Sequence, residues 1–291
     1  MTGPTTTPTI DSEVRLRDGR TLAYSEWGRL DGRLMVLLHG CPGSRLFCPD
    51  EEATVKAGVR LLTIDRPGYG RSDPAPSRPL VEWADDFVEL ADQLDLPPSP
   101  VVGWSGGGPY AMALGVRAAD RVPVIGLAAS PGPTELVPGG FDEYTPEDHA
   151  AFELLARDPV AGTVAIRQLG AWYASNGPDV MFQESLGDAD DRLLSEPGVL
   201  DAMKRWMREG ARQGSYGFTD DWTALQLAWG FAVADITQPV HVWWGGSDPQ
   251  VSRAHTDYLA ASIPRATLVT FEGEGHLFPI RHWPEMLDAL R

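Results

Sequence analysis

Val102-Gly103-Trp104-Ser105-Gly106-Gly107-Gly108-Pro109 follows an apolar run and opens an amphipathic one. A strand that turns abruptly into a helix leaves one side chain exposed at the apex, in a strained backbone conformation that needs small residues close by. Gly103 and Gly107 stand two before and two after Ser105, where a Cβ would collide with the neighbouring chain. The glycine spacing follows from that steric demand, and the stretch reads as a nucleophile elbow with Ser105 as its candidate nucleophile. No other Gly-x-Ser-x-Gly occurs in the chain. Five residues of pattern arise by chance, so the meaning of the elbow depends on its surroundings.

Outward from the elbow, strand and helix signals alternate. Leu34-Met35-Val36-Leu37-Leu38 is a continuous apolar run of the kind buried on both faces of a parallel sheet, and it ends at His39-Gly40-Cys41-Pro42-Gly43. Val59 to Ile64 repeats the pattern and runs into Asp65-Arg66-Pro67-Gly68-Tyr69-Gly70-Arg71-Ser72-Asp73, too rich in turn formers to continue as a strand. Glu13 to Leu16 and Thr21 to Trp27 flank Asp18-Gly19, a hairpin signal. Trp83, Phe87, Leu90, Ala91 and Leu94 recur as the one-sided stripe of a helix packed on a sheet. Tyr110 to Ala119 continues the elbow as a helix, and Val122 to Ala129 is the next strand. This alternation predicts an α/β fold, a mostly parallel twisted sheet with helices on both faces and sites at the carboxyl ends of its strands. His39, Asp65 and Ser105 all fall at such ends.

The alternation breaks at Ser130-Pro131-Gly132-Pro133 and returns at Pro239 to Trp244. Between about 146 and 234 the periodicity is helical, with Val199, Met203, Trp206 and Met207 on one face and Trp222, Leu225 and Trp229 on another. Residues 131–234 are therefore expected to form a helical lobe inserted into a sheet domain made of 10–130 and 235–291. Ser252 to Ile263 reads as a helix, Thr267 to Phe271 as the last strand and Pro284 to Arg291 as the closing helix. Residues 1–9 lack the basic and apolar regions of a secretion signal and are expected to be a loose tail.

Composition narrows the partners. Forty-one acidic against 24 basic side chains leave a formal charge of −17, which repels phosphate backbones and anionic lipid surfaces. Neither nucleic acid nor a membrane is an expected partner, and the longest apolar runs fall well short of the roughly 20 residues of a membrane span. Cys41 and Cys48 are the only cysteines, too few for a disulfide scaffold and without zinc-site spacing; free thiols in a reducing cytoplasm are expected. Oligomeric state is not legible.

A serine hydroxyl at neutral pH is a poor nucleophile until a neighbour takes its proton. His276, in Glu272-Gly273-Glu274-Gly275-His276-Leu277, stands in a glycine-bearing loop just after the final strand, at the same sheet edge as Ser105. Asp248 follows Val242-Trp243-Trp244-Gly245-Gly246-Ser247 at another strand end and is placed to orient an imidazole. The rivals are weaker. His282 is expected to start the last helix, His39 to be structural, and His149, His241 and His255 to be surface or strand positions. Asp235 sits at the wrong end of its strand. No base is placed for the Cys41 thiol. Trp104, Trp172, Trp206 and Trp222 are candidates to line an apolar substrate pocket, as is Trp229, with core packing the alternative for each.

The chain order Ser105, Asp248, His276 is that of one fold and not of chymotrypsin-like or subtilisin-like proteases. With His-Gly-Cys-Pro-Gly at 39–43, Asp-Arg-Pro-Gly-Tyr-Gly-Arg-Ser at 65–72, the elbow, Gly-Gly-Ser-Asp at 245–248 and Gly-Glu-Gly-His at 273–276, the chain resembles the α/β-hydrolase superfamily over nearly its whole length. The resemblance implies a triad of Ser105, Asp248 and His276, an oxyanion hole from the backbone N–H groups of Cys41 and Gly106, and a cap formed by the insertion. It implies a carboxylesterase-like serine hydrolase for a small, partly apolar acyl substrate, with no metal or organic cofactor. Epoxide hydrolases and haloalkane dehalogenases of this superfamily carry a carboxylate at the elbow, so Ser105 argues against both. Carbon–carbon bond hydrolases, proline iminopeptidases, cofactor-free perhydrolases and acyltransferases share the triad and stay open, as does a ligand receptor with slow or no turnover.

Overall fold

The computed structural model describes residues 7–75, 78–142, 144–176 and 185–291. Most of the expected tail, residues 1–6, lies outside that range; Thr9 donates its N–H to Glu26 O at 2.8 Å and so extends the first strand pairing.

The described residues form an eight-stranded sheet from β1 (Ile10–Arg15), β2 (Thr21–Gly28), β3 (Arg33–Leu38), β4 (Val59–Ile64), β5 (Val101–Trp104), β6 (Ile125–Ala128), β7 (Val240–Gly245) and β8 (Ala266–Phe271). Its spatial order is β1-β2-β4-β3-β5-β6-β7-β8. β2 runs antiparallel to both its neighbours, and every pairing from β4 to β8 is parallel. The hairpin closes at Arg15 opposite Thr21, with Gly19 at φ +91° supplying the left-handed turn residue.

Helices α1 (Glu51–Lys56), α2 (Trp83–Gln93), α3 (Gly108–Arg117), α9 (Arg253–Ser262) and α10 (Pro279–Ala289) cover the sheet. Period-two side-chain alternation sends Leu34, Val36 and Leu38 into a core shared with Trp83, Phe87, Leu90, Ala111 and Leu114. Met35 and Leu37 point the other way, into a second core with Trp283, Met286 and Leu287. Continuous apolar strands are thus explained by burial on both faces, each side chain contributing about 1.5–3 kcal/mol.

Between β6 and β7 run α4 (Pro146–Arg157), α5 (Pro159–Asn176), α6 (Asp188–Leu194), α7 (Val199–Gly210) and α8 (Tyr216–Gln226). α4, α5 and α8 build a small apolar cluster of their own around Phe152, Leu155, Ile166 and Trp222. α7 instead joins the sheet's second core through Val199, Met203, Trp206 and Met207.

Three local details differ from the sequence reading. β6 begins at Ile125 because Pro123 has no N–H for the ladder, and it ends before Ala129, whose φ is +46°. The last helix starts at Pro279, not Pro284; Pro284 lies inside it, where its missing amide coincides with a kink at His282 (φ −98°, ψ 15°). His255 is not a surface residue but is fully buried on α9. Its Nδ1 accepts from Gly132 N–H at 3.0 Å and its Nε2 donates to Gly140 O at 3.1 Å.

Candidate active site

Ser105 follows β5 directly, half-buried, and opens a single 3-10 turn (Ser105–Gly107) that leads into α3. Its φ is +52°, a left-handed conformation that costs a non-glycine residue about 1–3 kcal/mol. The surrounding glycines make the turn possible. A Cβ on Gly103 would stand 2.4 Å from Gly107 O, and one on Gly107 would stand 2.3 Å from Leu38 O.

The loop after β3 rests against this turn. A Cβ on Gly106 would meet Cys41 Cβ at 2.8 Å and Cys41 N at 3.4 Å, so the Cys41 and Gly106 backbones are neighbours beside Ser105. A Cβ on Gly40 would lie 3.1 Å from the Trp104 ring and 3.3 Å from Ser105 Cβ. His39, buried, donates from Nδ1 to Gly40 O at 2.7 Å and accepts at Nε2 from Arg66 N–H at 3.4 Å. One neutral tautomer satisfies both contacts, and burial together with the Arg66 charge holds its pKa well below the usual histidine value.

Asp248 and His276 meet between the loops after β7 and β8. His276 Nδ1 donates to Asp248 Oδ2 at 2.9 Å, which leaves Nε2 as the basic nitrogen of that tautomer. Asp248 Oδ1 accepts the N–H groups of Gln250 at 2.8 Å and Val251 at 3.1 Å, so the loop after β7 closes around its own carboxylate. Gly245 permits the approach of the two loops, since a Cβ there would lie 2.2 Å from Gly275 O. Burial pulls the His276 pKa down, but the Asp248 carboxylate and the Asp190 charge more than reverse this, and the net shift is upward.

Asp190, on α6, was not singled out from the sequence. Its carboxylate accepts the N–H groups of His276 and Leu277, each at 2.9 Å, and fixes the backbone of the histidine loop. Burial raises its own pKa despite those bonds. In sequence it sits in Asp188-Ala189-Asp190-Asp191, which looks like any solvated acidic turn.

A second buried cluster joins α8 to the core. Arg66, fully buried, donates through Nε and Nη2 to Asp221 of α8, the Nη2 contact being 2.5 Å. Tyr69 Oη and Tyr110 Oη also donate to Asp221, at 3.0 and 2.7 Å, and Cys41 Sγ lies 3.1 Å from Tyr69 Oη. Burial and the Asp221 charge push both phenols well above the ordinary tyrosine pKa, and burial raises the Cys41 thiol likewise, so all three stay protonated at neutral pH. Cys41 and Cys48 are both free.

The tryptophans separate. Trp104 and Trp206 are buried and packed on Phe47 at ring distances of 4.7 and 4.8 Å, and Trp104 Nε1 donates to His276 O at 3.2 Å. Trp222 stacks on Phe218 at 4.8 Å inside the α4–α5–α8 cluster, Trp229 is buried with its Nε1 bonded to Leu225 O, and Trp172 is 53% exposed on α5. Of the remaining candidates, His149 bonds Phe141 O, His241 stacks on Trp243, His282 stacks on Phe271, and Asp235 accepts from Ala232 N–H in the turn before β7. Among the described residues no group of three His, Cys, Asp or Glu side chains is placed to hold a metal, and no helix is long and apolar enough to cross a membrane.

Known proteins resemble this chain in sequence and in fold. The chain is 36% identical over 267 residues to a non-heme chloroperoxidase of Kitasatospora aureofaciens, covering 89% of this chain and 90% of that one. It is 28% identical over 276 residues to a 2-hydroxy-6-oxononadienedioate/2-hydroxy-6-oxononatrienedioate hydrolase of Cupriavidus pinatubonensis, covering 91% and 86%. A solved hydrolase structure from Pseudomonas aeruginosa PA01 superimposes with a TM-score of 0.69 over 97% of both chains at 21% identity, a likeness of fold. The sequence model of the alpha/beta hydrolase family matches residues 35–289, and the chain belongs to that family.

Proposed function

We propose that this α/β-hydrolase is a carboxylesterase-like serine hydrolase that passes through an acyl-enzyme on Ser105. The observation that carries the reading is the buried Asp248–His276 pair at the strand edge where Ser105 is held in a strained turn. Ser105 Oγ attacks the ester carbonyl while His276 Nε2 takes its proton. Asp248 holds the tautomer and stabilises the imidazolium. The N–H groups of Cys41 and Gly106 bond the tetrahedral oxyanion; both are fixed before reaction and need no reorganisation. His276 then protonates the leaving alcohol and activates water against the acyl-enzyme. The steps need no metal or organic cofactor.

Residues 131–234 serve as the cap over this site in the same proposal, and the substrate is a small, partly apolar acyl compound. A cytoplasmic location suits the two free thiols. Trp104 and Trp206 act on substrate only as a packed wall beneath the elbow, because their faces are taken by Phe47 and by each other.

The test is turnover of short-chain p-nitrophenyl esters by the wild type and Ser105→Ala. Sustained turnover lost in the variant supports the reading; turnover that survives the substitution overturns it. Carbon–carbon bond hydrolysis is the second reading, favoured by the Cupriavidus relative. It predicts cleavage of a 2-hydroxy-6-oxo-dienoate with a kcat/KM above that for any simple ester.

A further inference from the structure

The peptide between Gly40 and Cys41 is trans, so its C=O and N–H point in opposite directions. Whatever fixes the Gly40 oxygen therefore also aims the Cys41 amide. Two donors hold that oxygen: His39 Nδ1 at 2.7 Å and Arg66 Nη2 at 3.1 Å. Arg66 Nη1 also donates to the preceding carbonyl, His39 O. One planar guanidinium thus spans two successive carbonyls of the loop, and the Gly40 carbonyl is the one that points away from the Cys41 amide.

The guanidinium is not free to turn. Its Nε and Nη2 are bound to Asp221 from α8, and its face lies 4.8 Å from the Tyr110 ring centre and 5.4 Å from that of Tyr69. Asp221 is fixed in turn by both phenols. The chain of contacts runs from the inserted helix α8, through a fully buried ion pair, to the carbonyl side of the peptide whose amide faces the elbow.

We propose that Arg66 is a positioning residue that orients the Cys41 amide, and that Asp221 makes this orientation depend on the inserted helices. Resting on the assignment of Cys41 N–H to the oxyanion hole, the inference adds what holds that donor. Both residues act on the charge that develops on the carbonyl oxygen and not on substrate binding or on His276. Loss of the clamp therefore lowers kcat, leaves KM unchanged and leaves the acid limb of the pH profile in place. An oxyanion donor is worth about 10²–10³ in kcat, and a donor misaimed but still present loses a part of that, on the order of 10–100-fold.

The decisive variant is Arg66→Lys. Lysine keeps the charge that Asp221 needs but has one compact ammonium in place of a fork and cannot span two carbonyls while paired to the carboxylate. The expected result is a folded protein with kcat for a p-nitrophenyl ester reduced 10–100-fold, KM within about twofold and an unmoved acid limb. Affinity for a trifluoromethyl ketone, which forms an oxyanion on Ser105, falls in proportion to kcat. Should Arg66→Lys fail to fold, the double variant Arg66→Met with Asp221→Leu removes both charges together, a replacement that buried pairs commonly tolerate, and it also lacks the clamp. Either folded variant retaining wild-type kcat overturns the proposal, as does a loss confined to KM. A wild type that turns over no ester and forms no ketone adduct overturns instead the hydrolase reading beneath it.

Discussion

Replacing Gly103 with Ala isolates the steric argument on which the elbow rests. An added Cβ would lie 2.4 Å from Gly107 O, 2.5 Å from Gly108 Cα and 2.6 Å from Gly107 C. All three are backbone atoms and cannot rotate away. Restoring ordinary contact distances, about 3.5 Å, requires a shift of about 1 Å between β5 and the start of α3. Overpacking of that kind costs about 1–3 kcal/mol; taking 3, and an unfolding entropy of about 0.6 kcal/mol/K for a chain of this length, Tm falls by about 5 °C. The effect on activity is larger, because the shifted segment carries Ser105: a displacement of about 1 Å costs on the order of 10²-fold in rate. Gly58→Ala is the control. Gly58 has φ +67° and open space around its missing Cβ, so it tests conformational strain without collision. It should lower Tm by about 2–3 °C, from a left-handed cost of about 1–2 kcal/mol, and leave kcat unchanged. Scanning calorimetry and p-nitrophenyl ester kinetics on the two variants read both quantities. The collision argument is refuted if Gly103→Ala keeps kcat within threefold of wild type, or loses no more Tm than Gly58→Ala.

Four further outcomes can be checked. Ser105→Ala should reduce ester kcat by about 10⁴-fold or more and abolish covalent labelling by a fluorophosphonate, read by intact mass. The base must be neutral to act and its pKa is raised, so kcat/KM should fall as pH drops through a midpoint above 6.5, the ordinary histidine value. Asp190→Asn removes one of the two charges that raise it and should move that midpoint to lower pH; a midpoint that stays in place would show that Asp190 holds the loop without influencing the proton. Burial raises the Asp220 pKa from 3.8 to about 6, and its Oδ2 has no partner. The unfolded chain then ionises this group before the native one does, and stability is lost as pH rises between those two values. Asp220→Asn should accordingly raise Tm by about 2–3 °C at pH 8, from about 1–2 kcal/mol after discounting for partial exposure, and change nothing at pH 3.5.

The inner strands of the sheet were legible in the sequence because both their faces are buried. Leu34 to Leu38 needs no polar side, and the chain writes it as an unbroken apolar run. Ser105, Asp248 and His276 could be picked out because each follows a strand and is set among glycines; a Cβ on Gly103 or Gly245 would strike backbone, and one on Gly275 would strike the Asp190 carboxylate. Asp190 and Asp221 were not. Each works by reaching a partner more than eighty residues away, His276 in one case and Arg66 in the other, and no local spacing encodes such a meeting. An aspartate on a short helix reads as a solvated face until the fold turns it inward. Proline effects were legible in kind but not in place: Pro284 suggested a helix start, while packing of Trp283 and Met286 against the sheet kept the helix going through it. His255 likewise followed an exposed-looking pattern on α9, and only the loops around Gly132 and Gly140 explain why it is buried.

The hidden aspartates change how the inserted region is understood. A cap that merely covered the site would touch the core through apolar contacts and could be exchanged or opened at modest cost. Here Asp190 of α6 binds the loop after β8, Glu209 of α7 binds Arg45 at 2.7 Å in the loop after β3, and Asp221 of α8 binds Arg66 after β4. Each bond is charge-assisted and largely shielded from water, where such contacts are stronger than on an open surface. Three of the core loops are therefore bound by carboxylates of the inserted region, the one after β3 jointly with Asp11 and Asp65 of the sheet domain. On the proposed mechanism, the preorganisation of the site would then be distributed over both parts of the chain, with α6, α7 and α8 among the elements that position it.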